Sequence, residues 1–215
     1  TDCHRKLAGA YDPLERLEKL RSLFFATPES FGRHKLVLMS QRSDPRFSRY
    51  VENLRWTQGK VSFATVHLVG SNNNWQPELP SVSEFAAREE ANLAWLRDTF
   101  TAAKGRGDIA VVLAMQADTF MSEPGPASGF TRWLQALADE VALWGKPVLL
   151  LQGDSHQYRV DRPLRSAEGK SLPNLLRVVV PGERHPDAVL IEVDDARPDN
   201  PFQLNGNTYA IRIFS

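Results

Sequence analysis

Three apolar runs constrain this chain most: "VSFATVHLVG" (61–70), "IAVVLAM" (109–115) and "PVLLLQ" (147–152). Each is too short for a helix of ordinary length, and none alternates cleanly between apolar and polar, so each reads as a strand buried on both faces. Two helical patterns separate them. The first, Glu84 to Lys104, carries Phe85, Glu89, Leu93, Leu96 and Phe100 at helical spacing, opens on a Ser81–Glu84 capping pair and closes at Gly105. The second, Gly129 to Trp144, places Phe130, Trp133, Leu134, Leu137 and Val141 on one face and stops at Gly145. Strands apolar on both faces, alternating with amphipathic helices, imply a parallel sheet joined by right-handed crossovers.

The flanks read differently. A helix is predicted after Asp12, with Pro13 at its first position, Glu15 completing a capping box, and a Leu14, Leu17, Leu20, Phe24 stripe packed on the sheet. "KLVLM" (35–39) reads as a buried strand, and the polar stretch around "QRSDPRFSRY" as loop with a little helix. After His156 come "QYRV", "LRVVV", "AVLIEV" and "YAIRIF", with no helix between them long enough for a crossover, so this third is predicted to be antiparallel. The fold class is α/β: a helix-flanked sheet sandwich in which parallel βαβ strands lead into antiparallel C-terminal strands.

At 215 residues and 42% hydrophobic content, positions 1–215 read as one domain. Acidic and basic residues balance at 26 each, which leaves no global field to steer the chain toward nucleic acid or an anionic membrane. No segment approaches the roughly 20 apolar residues of a membrane span. The single cysteine, Cys3, rules out an internal disulfide framework but leaves the compartment open, and any signal peptide would lie upstream of Thr1.

In open α/β sheets ligands bind beyond the carboxyl ends of the strands. Three polar segments stand there: Gly70 to Asn74, Gln116 to Asp118 and Gly153 to His156. They offer amides, carboxylates and an imidazole, donors suited to divalent cations, and should share one crevice. The strand, helix, strand, helix, strand order that ends in "GDSH" (153–156) resembles the C-terminal two-thirds of the calcineurin-like metallophosphoesterase family. The resemblance places Gln116 at a strand-end metal-binding histidine, and Gly153, Asp154, Ser155 and His156 at a Gly-His-x-His motif. It implies metal ligation by Gln116, Asp154 and His156, a divalent ion (Mn, Mg, Fe or Zn), and a small phosphate ester as substrate. Asn72, Asn73 and Arg159 become candidate substrate contacts.

By the resemblance, the family's Asp-x-His, Gly-Asp-x-x-Asp and Gly-Asn-His motifs should precede Thr1, and "TDCHRK" is similar to the segment that follows the last of them in a bacterial branch. The resemblance therefore implies the C-terminal part of a longer domain, with His4 as the general-acid candidate. Two metal ions roughly 3.5 to 4 Å apart, with a bridging carboxylate, clamp a phosphoryl group in such sites, and no bridging carboxylate is identifiable in the sequence. Each candidate has a plainer reading: turn residues for Asp154 and the asparagines, a strand-end hydrogen bond for Gln116, a backbone-bonded histidine for His156, and a pairing with Asp161 for Arg159 and Arg162. His67, inside an apolar run, reads as a core histidine. Two further functions stay open. One is a non-catalytic relic that binds a ligand or partner. The other is a GDS-type serine esterase using Ser155, whose histidine would be His185; the expected aspartate three residues before it is Gly182.

Overall fold

The computed structural model describes residues 6–75, 81–121, 125–182, 188–204 and 212–214. Helix α1 (Pro13–Phe24) starts where Asp12 Oδ1 accepts hydrogen bonds from the Leu14 and Glu15 amides, at 2.9 and 2.8 Å. Only half of the predicted capping box forms, because the Glu15 carboxylate turns to Arg16. The stripe does not pack as predicted either: Leu14, Leu20 and Phe24 are exposed, and the buried side chain of α1 is Arg21. Two hydrogen bonds from Arg21 to Glu52, at 3.0 and 2.6 Å, tie the helix to the molecule through charge instead.

The main sheet has seven strands in the order β1-β2-β3-β4-β5-β7-β6. Its centre is parallel: β3 (Val61–Thr65), β4 (Ala110–Ala114), β5 (Val148–Gln152) and β7 (Leu175–Val179). Antiparallel strands finish both edges, β2 (Leu54–Gln58) with β1 (Met39–Ser40) on one side and β6 (Arg159–Asp161) on the other. The three apolar runs thus form the parallel centre, linked by α3 (Ser81–Arg106) and α4 (Thr131–Trp144). α3 runs one residue past Gly105 and yields at Gly107, where φ is 74°. α4 ends at Gly145 in the left-handed conformation.

Three expectations are corrected here. "KLVLM" forms only a bridge at Val37 and the start of β1, and Leu36, Val37 and Met39 are exposed. β2 was hidden in the stretch assigned to loop, because "LRWTQ" buries its residues only partly. β7 runs parallel to β5, since the long helix-free segment through β6 returns the chain to the starting end of the sheet.

A smaller sheet of β8 (Ile191–Asp194), β9 (Phe202–Leu204) and β10 (Arg212–Phe214) has the order β10-β8-β9. β9 is antiparallel to β8, and β10 is parallel to it, so the C-terminal strands are mixed rather than purely antiparallel. The main sheet therefore separates two apolar layers. Leu93, Leu96, Trp133, Leu137, Leu113 and Leu150 fill the helix side. Phe63, Val112, Leu149, Ile191, Val193 and Phe202 fill the side facing the small sheet. A cavity of ≈ 160 Å³ remains in this second layer, between Trp56, Phe63, Leu151 and Ile191. Helix and sheet are thus packed against opposite faces of one parallel core, which leaves the strand ends open at the rim.

Candidate functional site

At that rim the ends of β3, β4 and β5 are stitched by one side chain. Gln116, just past β4, accepts a hydrogen bond from the Gly70 amide through Oε1 (2.7 Å) and donates through Nε2 to Asp154 Oδ1 (3.0 Å). Its backbone oxygen also receives the Gly153 amide at 3.1 Å. Gly70 lies so close to Asp154 that a Cβ there would stand 2.5 Å from both carboxylate oxygens. Asp154 and His156 have φ of 68° and 57°, a left-handed backbone that is sterically costly for side-chain-bearing residues. An added Cβ at Gly182 would fall 2.5 Å from His156 Cγ, which places this glycine against the imidazole. The structure therefore brings Gly70, Gln116, Asp154 and His156 to one rim.

The asparagine run takes a different part. Ser71, Asn72, Asn73 and Asn74 all have φ between 53° and 58° and form a left-handed turn, named α2 over Gly70–Asn73. Asn72 accepts from the Gly129 amide (2.7 Å) and donates to the Ala127 carbonyl (3.0 Å). Asn73, fully buried, donates to the Gly129 carbonyl and accepts from Arg88. Both ends of each side chain are hydrogen-bonded, Asn72 to the approach to α4 and Asn73 between that approach and Arg88 of α3.

Sequence reading undervalued His67. Its Nδ1 lies 2.5 Å from Glu52 Oε1, in a contact too bent to be a well-aligned hydrogen bond, and the side chain is 14% exposed. The Asn53 side chain accepts the His67 amide at 2.8 Å, while Asn92 and Arg88 donate to its carbonyl. Burial by itself would push the Glu52 carboxyl up, but His67 and Arg21 override it and hold the group at about 2. The result is an imidazole lying beside an ionised carboxylate. It lines a small cavity of ≈ 180 Å³ whose other walls include Gly70, Ser71, Asn74, Leu14 and Leu17. Because Gly70 also touches Asp154, this cavity adjoins the rim. The signal available in the sequence was a polar residue on the β3 side of an otherwise apolar run, together with "VEN" at 51–53.

Asp118, the third polar residue of its segment, faces inward. It accepts from Arg177 at 2.8 Å, and Arg177 also grips Asp161 with two hydrogen bonds at 2.8 and 2.7 Å. Arg177 is 1% exposed, a buried cation satisfied by two carboxylates. Asp161 is therefore engaged by Arg177 rather than by Arg159 or Arg162, and Arg162 donates to the Pro173 carbonyl. Arg159 is exposed at the edge strand β6, next to the loop that carries His156.

Among the described residues no three His, Cys, Asp or Glu side chains gather to hold a metal. Gln116, Asp154 and His156 would be the ligands of any ion bound at the rim, yet one Asp154 oxygen and the Gln116 carbonyl already carry hydrogen bonds. That donor set does not fit a two-metal centre. Ser155 stands on a loop leading into strand β6, not on a strand-to-helix turn of the kind that exposes a serine nucleophile. His4 and His185 lie outside the described residues. No helix among the described residues is long and apolar enough to cross a membrane. Comparison with family models, with curated proteins and with solved structures found no match to the chain.

Proposed function

We propose that this chain carries the phosphate-ester rim of a metal-dependent phosphoesterase-like hydrolase of the calcineurin-like metallophosphoesterase type, in incomplete form. The observation that carries the reading is the meeting of Gly70, Gln116 and Asp154 through Gln116, at the carboxyl ends of three adjacent parallel strands. That is where open α/β sheets bind ligands. A bound divalent ion would supply charge stabilisation to a phosphoryl oxygen. The chain's own residues would orient the ester: Gln116 fixes the Asp154 carboxylate, Gly70 leaves it room, and Gly182 sets the His156 ring.

A second reading, a relic that binds a ligand without turning it over, is favoured by the hydrogen bonds that already occupy Gln116. The two separate in one set of measurements on the folded chain: Mn²⁺ titration by calorimetry, and metal-supplemented assays on aryl phosphate mono- and diesters. The expected outcome is uptake of one weakly held ion, abolished by His156→Ala, with slow turnover; the same uptake with no turnover would move the reading to the relic. Ion binding unaffected by His156→Ala and Asp154→Asn would overturn the assignment of the rim. Turnover lost in Ser155→Ala but kept in His156→Ala would move the reading to a serine esterase.

A further inference from the structure

A second pocket runs along the β1–β2 edge of the main sheet and shares no residue with the rim. It is a cleft of ≈ 580 Å³, the size range of small-molecule sites. Three arginines line it, Arg42, Arg55 and Arg106, and no acidic residue does. Arg42 donates to two backbone carbonyls, Phe25 and Ala26, and its Nε is buried without a partner. Arg55 lies over the Trp95 ring at 4.9 Å, and its Nη1 is also buried without a partner. Among the described residues neither has a carboxylate partner, whereas Arg106 shares Asp108 with Ser62. Burial, and after it the charge of Arg106, pushes the Arg55 guanidinium down, with Asp98 only offsetting part of this. Arg42 and Arg55 are partly buried and Arg106 is exposed, and partly desolvated positive charge without a carboxylate is ordinarily matched by an anion.

The mouth of the cleft has a different chemistry. Leu36, Val37 and Met39 are exposed there, Val37 at 85%. An anionic head with an apolar chain matches both regions at once. We infer that this cleft binds a single amphiphilic anion, its carboxylate or phosphate head between Arg42, Arg55 and Arg106 and its chain along Leu36, Val37 and Met39.

Calorimetry with decanoate and decyl phosphate, below their critical micelle concentrations, provides the test, with decanol and decyltrimethylammonium as neutral and cationic controls. Both anions should bind one to one and at least tenfold more tightly than either control. Arg55→Gln should weaken them at least tenfold, and Val37→Ser should weaken decanoate more than acetate. Circular dichroism melts confirm that each variant is folded, and Arg42→Gln serves as the second variant if Arg55→Gln does not fold. Equal affinity for anion and cation, or anion affinity unchanged in both arginine variants, would overturn the inference. Binding to phosphatidylglycerol vesicles without binding of the monomeric anions would also overturn it, and would make this edge a membrane-contacting surface instead.

Discussion

At the scale of single residues, the contact between Gly70 and Asp154 sets the shape of the rim. A methyl group at position 70 would stand 2.5 Å from the carboxylate oxygens, closer than such atoms can approach, so the loop or the carboxylate must move. Gly70→Ala should cost about 1–3 kcal/mol, the range for overpacking. The cost should fall when Asp154 is shortened, because the clash partner is then gone. A double-mutant cycle of Gly70→Ala with Asp154→Ala, read by urea denaturation, is expected to show a favourable coupling of at least ~1 kcal/mol. Additive effects would mean that another neighbour limits the space. Asp154 and Gln116 could be read from the sequence as strand-end polar residues. The hydrogen bonds that join them could not, because Gln116 and Asp154 are far apart in the chain and their meeting depends on strand order.

At the scale of elements, charge takes over a task that the apolar pattern of α1 suggested for hydrophobic packing. Arg21 reaches from the helix to Glu52, which in turn faces His67 beyond the end of β3. Glu52 is held at about 2 against an ordinary value of 4.5, so its contribution is complete above pH 4.5 and is lost as pH falls toward 2. The amount is on the order of 3 kcal/mol at most, by the free energy of a pKa difference. In Glu52→Gln the chain should be less stable than the parent at pH 7, and the gap should close as pH falls from 4.5 to 2. Chemical denaturation across that range checks it; a gap constant with pH would show that Glu52 titrates normally in the folded chain. The central strands and both crossover helices were legible because their apolar residues recur at fixed periods. β2 and the true role of α1 were not. In β2 only Leu54 and Trp56 are apolar, an alternation with Arg55 and Thr57 too short to stand out, and Arg21 sits on α1 among apolar residues that carry the helical period.

At the scale of the whole molecule, the two apolar layers are unequal. Trp133 is buried to 1% in the helix-side layer, among Leu134, Leu137 and Phe130. Trp56 is only partly buried; it stacks on Phe63 at 5.3 Å beside the cavity between the sheets. Trp133→Ala should destabilise the chain by about 3–5 kcal/mol, the usual range for emptying a filled core site. Trp56→Ala should cost clearly less, since its surroundings already contain empty space. Thermal or denaturant melts of the pair decide this, and equal losses would show that the second layer is as tightly packed as the first. The layered α/β plan was readable from strand and helix order. The parallel placement of β7 was not, because no local pattern distinguishes a strand that returns by a long loop from one that turns back beside its predecessor.

The left-handed turn over Ser71–Asn74 bears on stereochemistry as well as on shape. Left-handed α backbone is the mirror image of the ordinary helix, and it costs L-residues about 1–2 kcal/mol each except where glycine or a short polar side chain eases it. At these four positions the fold therefore asks for the conformation that D-amino acids adopt at ease. In a chain assembled by peptide ligation, D-alanine at position 71 would fit the backbone better than L-alanine, the reverse of the rule for α3 and α4. Residues 71–74, between β3 and α3, are in this sense a short stretch of opposite handedness, written in the L-residues that object to it least.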